Sequence, residues 1–181
     1  MADRRNVVRP SFWFIASGGV TLVRAAIELT EPVYYDPSSL LDYTAVVLTS
    51  AASGALAVAL YLWWRTAPFS RLSIVLLVAA IGIAAESVGN LLEDGFDSDF
   101  GATLYNNGGL IGAVALLLTV IVALATATSL RWSGLFLLAG LGGAIFPDDG
   151  GLWLTGASFL GLGIWMIRLP THERVSAKEL P

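Results

Sequence analysis

The chain reads as an all-α integral membrane protein, a six-helix bundle of three antiparallel hairpins with both termini in the cytoplasm. Three observations lead there. The 181 residues are 56% hydrophobic and only 13% charged, about half the charge of a soluble domain. Mean hydropathy is +0.73, and the apolar residues fall in long runs separated by short polar segments. Charge alternates from one polar segment to the next. Glu31, Asp36, Asp42, Glu93, Asp94, Asp97, Asp99, Asp148 and Asp149 occupy one set of connections. Arg4, Arg5, Arg9, Arg65, Arg71, Arg131, Arg168, Arg174 and Lys178 occupy the other, and Arg24 alone among the cations breaks the division.

The first apolar run, 12–30, follows Arg4, Arg5 and Arg9, as a secretory leader would. Arg24 stands where a cleavage motif needs a small neutral residue, and the apolar pattern resumes at Ile27 and Leu29. The segment is therefore expected to be retained as a helix. Runs at 43–64, 72–92 and 107–130 have spanning length, since about 20 residues cross a hydrocarbon core. The last two, 132–146 and 152–167, are short. A re-entrant hairpin would bury Asp148 and Asp149 at a cost on the order of 2.5–3.5 kcal/mol each. Two short spans in a thinned bilayer cost less, so six spans are expected within a single transmembrane domain, followed by a cytoplasmic tail over 168–181.

The positive-inside rule orients the scheme. The amino terminus, Arg65–Arg71, a tight turn at Leu130–Trp132 and the tail face the cytoplasm. Glu31–Asp42, Glu93–Tyr105 and Pro147–Gly151 face out. Aromatic placement agrees: Trp13, Trp63, Trp64, Trp132 and Trp165 fall near the cytoplasmic ends, and Tyr34, Tyr35, Tyr43 and Tyr105 near the outer ends, as interfacial anchors do. Gly108 with Gly112, and Ala157 with Gly161, have the spacing of close helix contacts. Packing within the bundle is the expectation and a dimer seam the alternative.

Two sets of polar residues are candidate sites. Arg24, Glu28 and Glu31 on the first helix, and Glu86, Asn90 and Glu93 on the third, share the spacing i, i+4, i+7, which lines up one helical face. Arg24 and Glu86 each precede an outer acid by seven residues, roughly 10 Å inward at 1.5 Å per residue. Arg24 is thus expected to pair across the bundle with Glu86, with Glu28 and Asn90 completing an intramembrane network. Such a network is either a structural lock or a proton or cation path. The second set is the outer loop Glu93, Asp94, Asp97 and Asp99, whose carboxylates could hold Ca²⁺ through oxygen. Gly101 stands where an EF-hand would place its third acidic ligand.

Much chemistry is excluded by what is missing. The chain has no Cys, and His172 and Lys178 are its only His and Lys, both in the tail. That removes thiol redox chemistry, clustered-His zinc sites and bis-His haem, a Ser–His protease and a retinal Schiff base. No phosphate-binding glycine loop and no basic cluster for nucleic acid is present. No cofactor is expected. The partners are the lipid bilayer and either further copies of the chain or a larger membrane complex. The expected role is that of a non-catalytic structural or accessory subunit of a prokaryotic cell membrane, and the alternative is a small proton- or cation-coupled carrier or channel.

Overall fold

A computed structural model describes residues 9–29, 37, 39–66, 71–125, 130–147 and 150–168. Glu31, Tyr34, Tyr35, Asp36, Asp148, Asp149 and the tail with His172 and Lys178 lie outside the described residues. The described chain forms six helices: α1 (Pro10–Glu28), α2 (Leu40–Thr66), α3 (Arg71–Phe96), α4 (Asp99–Ala125), α5 (Leu130–Ile145) and α6 (Gly151–Arg168). The first four are long and apolar enough to cross a membrane, while α5 is a shorter apolar helix.

Local chemistry sets the ends. Arg9 is extended, and Pro10 occupies the first turn of α1, where its missing N–H costs nothing. Ser39 and Asp42 cap α2 reciprocally: the Asp42 carboxylate accepts from the Ser39 N–H at 2.9 Å, and the Ser39 hydroxyl accepts from the Asp42 N–H at 3.1 Å. This is a capping box closed by Asp. At Gly150 the backbone enters the left-handed region (φ 81°), which glycine adopts without a Cβ clash. The turn lets the Gly151 N–H donate to the Phe146 carbonyl at 3.1 Å before α6 starts.

The outer segment expected over Glu93–Tyr105 does not exist as a loop. α3 continues to Phe96, α4 starts at Asp99, and only Asp97 and Ser98 connect them. Asp97 takes a left-handed φ of 50°, a conformation Asp tolerates, and its N–H donates to the Glu93 carbonyl at 2.8 Å. The Ser98 hydroxyl then accepts from the Gly101 N–H at 3.2 Å as the cap of α4, and Asp99 favours the positive helix start. The polar stretch Tyr105–Asn107 rides on the helix, with the Asn106 amide donating to the Ala102 carbonyl at 2.9 Å. Likewise Leu130 begins α5 instead of forming part of a tight turn at Leu130–Trp132; α4 is described to Ala125, and 126–129 lie outside the described residues.

Each helix packs on its neighbours in sequence, and α6 closes on α1, so the six helices form a ring. Glycines let adjacent backbones touch. In the α3–α4 seam, Gly82 lies against Gly112, Gly89 against Tyr105, Gly101 against Glu93 and Gly108 against Glu86. These pairs share one midpoint in the sequence, as antiparallel helices require. In the α1–α6 seam, Gly18 meets Leu160 and Gly156, and Gly163 meets Ile15. Gly108 and Gly112 therefore serve packing inside the bundle. Gly161 does so as well, against Phe136 of α5, whereas Ala157 is exposed on the outside.

The apolar core fills one half of the ring. Phe14, Leu60, Leu76, Val120, Leu137 and Leu162, one from each helix, are fully or almost fully buried there. Phe14 and Trp63 meet edge to face, their centroids 6.0 Å apart, a geometry worth about 0.5–1.5 kcal/mol beyond area. Trp63 is thus a core residue, not the interfacial anchor its position in the sequence suggests. Arg65, Arg131 and Arg168 mark this end of the bundle, and Glu28, Asp42, Glu93, Asp94, Asp97 and Asp99 mark the other.

Candidate functional site

The acidic half of the ring carries the carboxylate, guanidinium and amide side chains of the interior. On α3 the exposed stripe is Ile74, Val78, Ile81 and Val88. Helical periodicity puts Glu86 and Asn90 on the opposite face, toward the inside of the ring. On α1, Arg24 and Glu28 turn away from the exposed Phe12 and Val23 in the same manner.

Arg24 does not pair with Glu86. Its Nη2 donates to Glu28 Oε1 at 2.8 Å, both side chains being about three-quarters buried (22% and 25% exposed). α1 is flanked in the ring by α2 and α6, and α3 lies beyond α2. A partner one turn away on the same helix is reached without extending past α2. The less favourable Arg-before-Glu order changes such a pair by only a few tenths of a kcal/mol, too little to redirect it. Arg24 Nε, also buried, has no hydrogen-bond partner among the described residues.

Asn90 is drawn instead to α2. Its amide donates to Ser50 Oγ at 2.9 Å and to the Val46 carbonyl at 3.3 Å, and the Ser87 hydroxyl donates to the Ser50 carbonyl at 2.7 Å. These three bonds clasp α2 to α3. Such interhelical bonds average about 0.6 kcal/mol and reach about 2 in membranes.

Glu86 stands apart. It lies alongside α4 where Gly108 and Gly109 carry no side chains. A Cβ added to Gly109 would sit 3.7 Å from Glu86 Cγ. Glu86 makes no ion pair or hydrogen bond with any described residue. The Tyr105 phenol lies within electrostatic range of Glu86, Glu93, Asp94 and Arg24. The structure therefore gathers Arg24, Glu28, Glu86 and Tyr105 at one end of the ring and removes Asn90 from that group.

Ser50, Ser87 and Tyr105 were not singled out from the sequence as site residues. The signal for Tyr105 lay in the Asp97-Ser98-Asp99 helix-start pattern. Once those residues form a two-residue turn, antiparallel register brings Tyr105 to Gly89 and Gly109 to the level of Glu86.

The candidate cation loop is distributed over three roles. Glu93 and Asp94 end α3, Asp97 makes the left-handed turn, and Asp99 opens α4. Among the described residues no three acidic or imidazole groups converge as metal ligands. Chemically, the acidic half offers an inward carboxylate beside a phenol and a guanidinium already engaged by Glu28. That set can hold a proton or a cation. No family model, curated protein or solved structure matches this chain.

Proposed function

We propose that the chain is a multi-pass cell-membrane protein with both termini in the cytoplasm, and that it serves as a non-catalytic structural or accessory subunit. The membrane reading is supported by four helices of spanning length and apolarity and by the segregation of arginines from carboxylates at opposite ends of the bundle. α5 has 16 residues and is about 24 Å long at 1.5 Å per residue. With α6 it crosses by local thinning of the bilayer.

The observation that carries the accessory role is how the interior is filled. Apolar side chains from all six helices close one half of the ring. In the other half, Arg24 bonds to Glu28 through Nη2 and the Asn90 amide nitrogen to Ser50, so most of the strongly polar groups there are engaged within the bundle. Affinity purification from the native membrane in mild detergent, with the partners identified by mass spectrometry, tests this. Stoichiometric recovery with a larger complex is expected, and recovery as a lone homo-oligomer would sink the reading.

A second reading, a small proton- or cation-coupled carrier or channel, is favoured by one feature: Glu86 faces the inside of the ring and has no hydrogen-bond or ion-pair partner among the described residues. Reconstitution in liposomes with an internal pH dye tests it. Cation-driven proton movement lost in Glu86→Gln would establish the carrier, and no movement above empty liposomes would remove it.

A further inference from the structure

We infer that the groove between α5 and α6 is a binding site for an anionic phospholipid. The inference rests on the membrane reading above.

The groove is lined by Trp132, Leu135, Phe136, Ala139, Ala157 and Ser158 and has a volume of about 360 Å³. It lies on the outside of the ring: Trp132, Leu135 and Ala157 are exposed. Small residues make it. Ala139 and Ala157 leave its walls low, and an edge of the Phe136 ring lies against Gly161, where a Cβ would meet Phe136 Cε1 at 2.7 Å. An apolar furrow on the bilayer-facing side of two short helices is shaped for an acyl chain.

The end of the groove carries the chemistry of a headgroup. Phe136 faces Gly161 and Phe159 faces Gly140. In the antiparallel register these pairs set, Arg131 at the start of α5 stands level with Arg168 at the end of α6. Both arginines are exposed. Just below them Trp132 and Trp165 pack with centroids 6.2 Å apart. Trp165 Nε1 is buried with no hydrogen-bond partner among the described residues, so the indole pair contributes its rings to this end and the donors for a phosphate come from the two arginines. Two guanidiniums over an indole pair, above an apolar furrow, match an anionic headgroup over its chain, since arginine favours phosphate by a fork of donors as well as by charge.

The test uses the full chain purified in detergent and mixed with equal amounts of phosphatidylglycerol and phosphatidylcholine, with bound lipid read by native mass spectrometry. Preferential retention of phosphatidylglycerol is expected. Arg131→Gln with Arg168→Gln, which changes two exposed side chains, should lower that retention by about 30-fold. Ala157→Phe, which fills the groove from its exposed wall, should abolish it. Equal retention of both lipids overturns the site, as does unchanged retention in the double glutamine variant. A disulfide-linked dimer formed by Ala139→Cys would also overturn it, because a second copy would then cover the groove. Failure of the membrane reading looks different: the chain would leave membranes in alkaline carbonate and remain soluble without detergent.

Discussion

Adjacent glycines on α4 set up a controlled test of the α3–α4 seam. A Cβ at Gly108 would lie 2.6 Å from the Glu86 backbone nitrogen and 2.8 Å from Ala85 Cβ. Comfortable contacts are about 3.5–4.0 Å, so Gly108→Ala forces the two helices apart by about 1 Å. Because Gly82 and Gly112 meet at a similarly short range one turn away, opening the seam at Gly108 loosens that contact too. Overpacking of this kind costs about 1–3 kcal/mol. The better helix propensity of alanine returns up to about 1 kcal/mol. Gly109→Ala gains the same propensity, but its Cβ would make an ordinary 3.7 Å contact with Glu86 Cγ. The two variants should therefore differ by about 1–3 kcal/mol, between roughly 5- and 150-fold in the folded-to-unfolded ratio at 1.36 kcal/mol per tenfold. Unfolding by added dodecyl sulfate in micelles, followed by tryptophan fluorescence, measures the difference. If Gly108→Ala proves no less stable than Gly109→Ala, the close approach of α3 and α4 is wrong.

Other perturbations probe the polar half. In a double-mutant cycle, Arg24 should couple to Glu28 by about 0.3–1 kcal/mol and to Glu86 by less; stronger coupling to Glu86 would restore the cross-bundle pair. Asn90→Ala should cost about 1–2 kcal/mol, moderated because the freed Ser50 hydroxyl can turn to the carbonyl one turn back; an unchanged unfolding midpoint would discard the clasp. Ser39→Ala should destabilise α2 by about 0.5–2 kcal/mol, read as faster amide exchange confined to its first turn; exchange unchanged there would remove the capping box.

Hydropathy made the number of helices legible, because runs such as 72–92 and 152–167 need no tertiary information. It misplaced the facing ends of α3 and α4 because it follows side-chain polarity, while a helix ends where capping ends it. Glu93, Asp94 and Asn106 are polar and helical at once, and only the Asp97 turn and the Ser98 cap mark the real boundary. The spacing of Arg24 and Glu28, and of Glu86 and Asn90, placed each pair on one helical face. It carried no information on which helices are neighbours. The closure of α6 on α1, with α2 between α1 and α3, comes from the fit of Gly18, Gly156 and Gly163 against facing backbone, and that fit decides which partner Arg24 can reach. Gly108 and Gly112 were readable as a close-contact motif, but their partner was fixed only by antiparallel register.

The absence of cysteine makes the central claim directly measurable. Single cysteines at Asp97 and at Arg65 can be probed in intact cells with a membrane-impermeant maleimide. The account predicts that Asp97→Cys is labelled from outside and that Arg65→Cys is labelled only after the membrane is opened. Equal labelling of both positions in intact cells would contradict it.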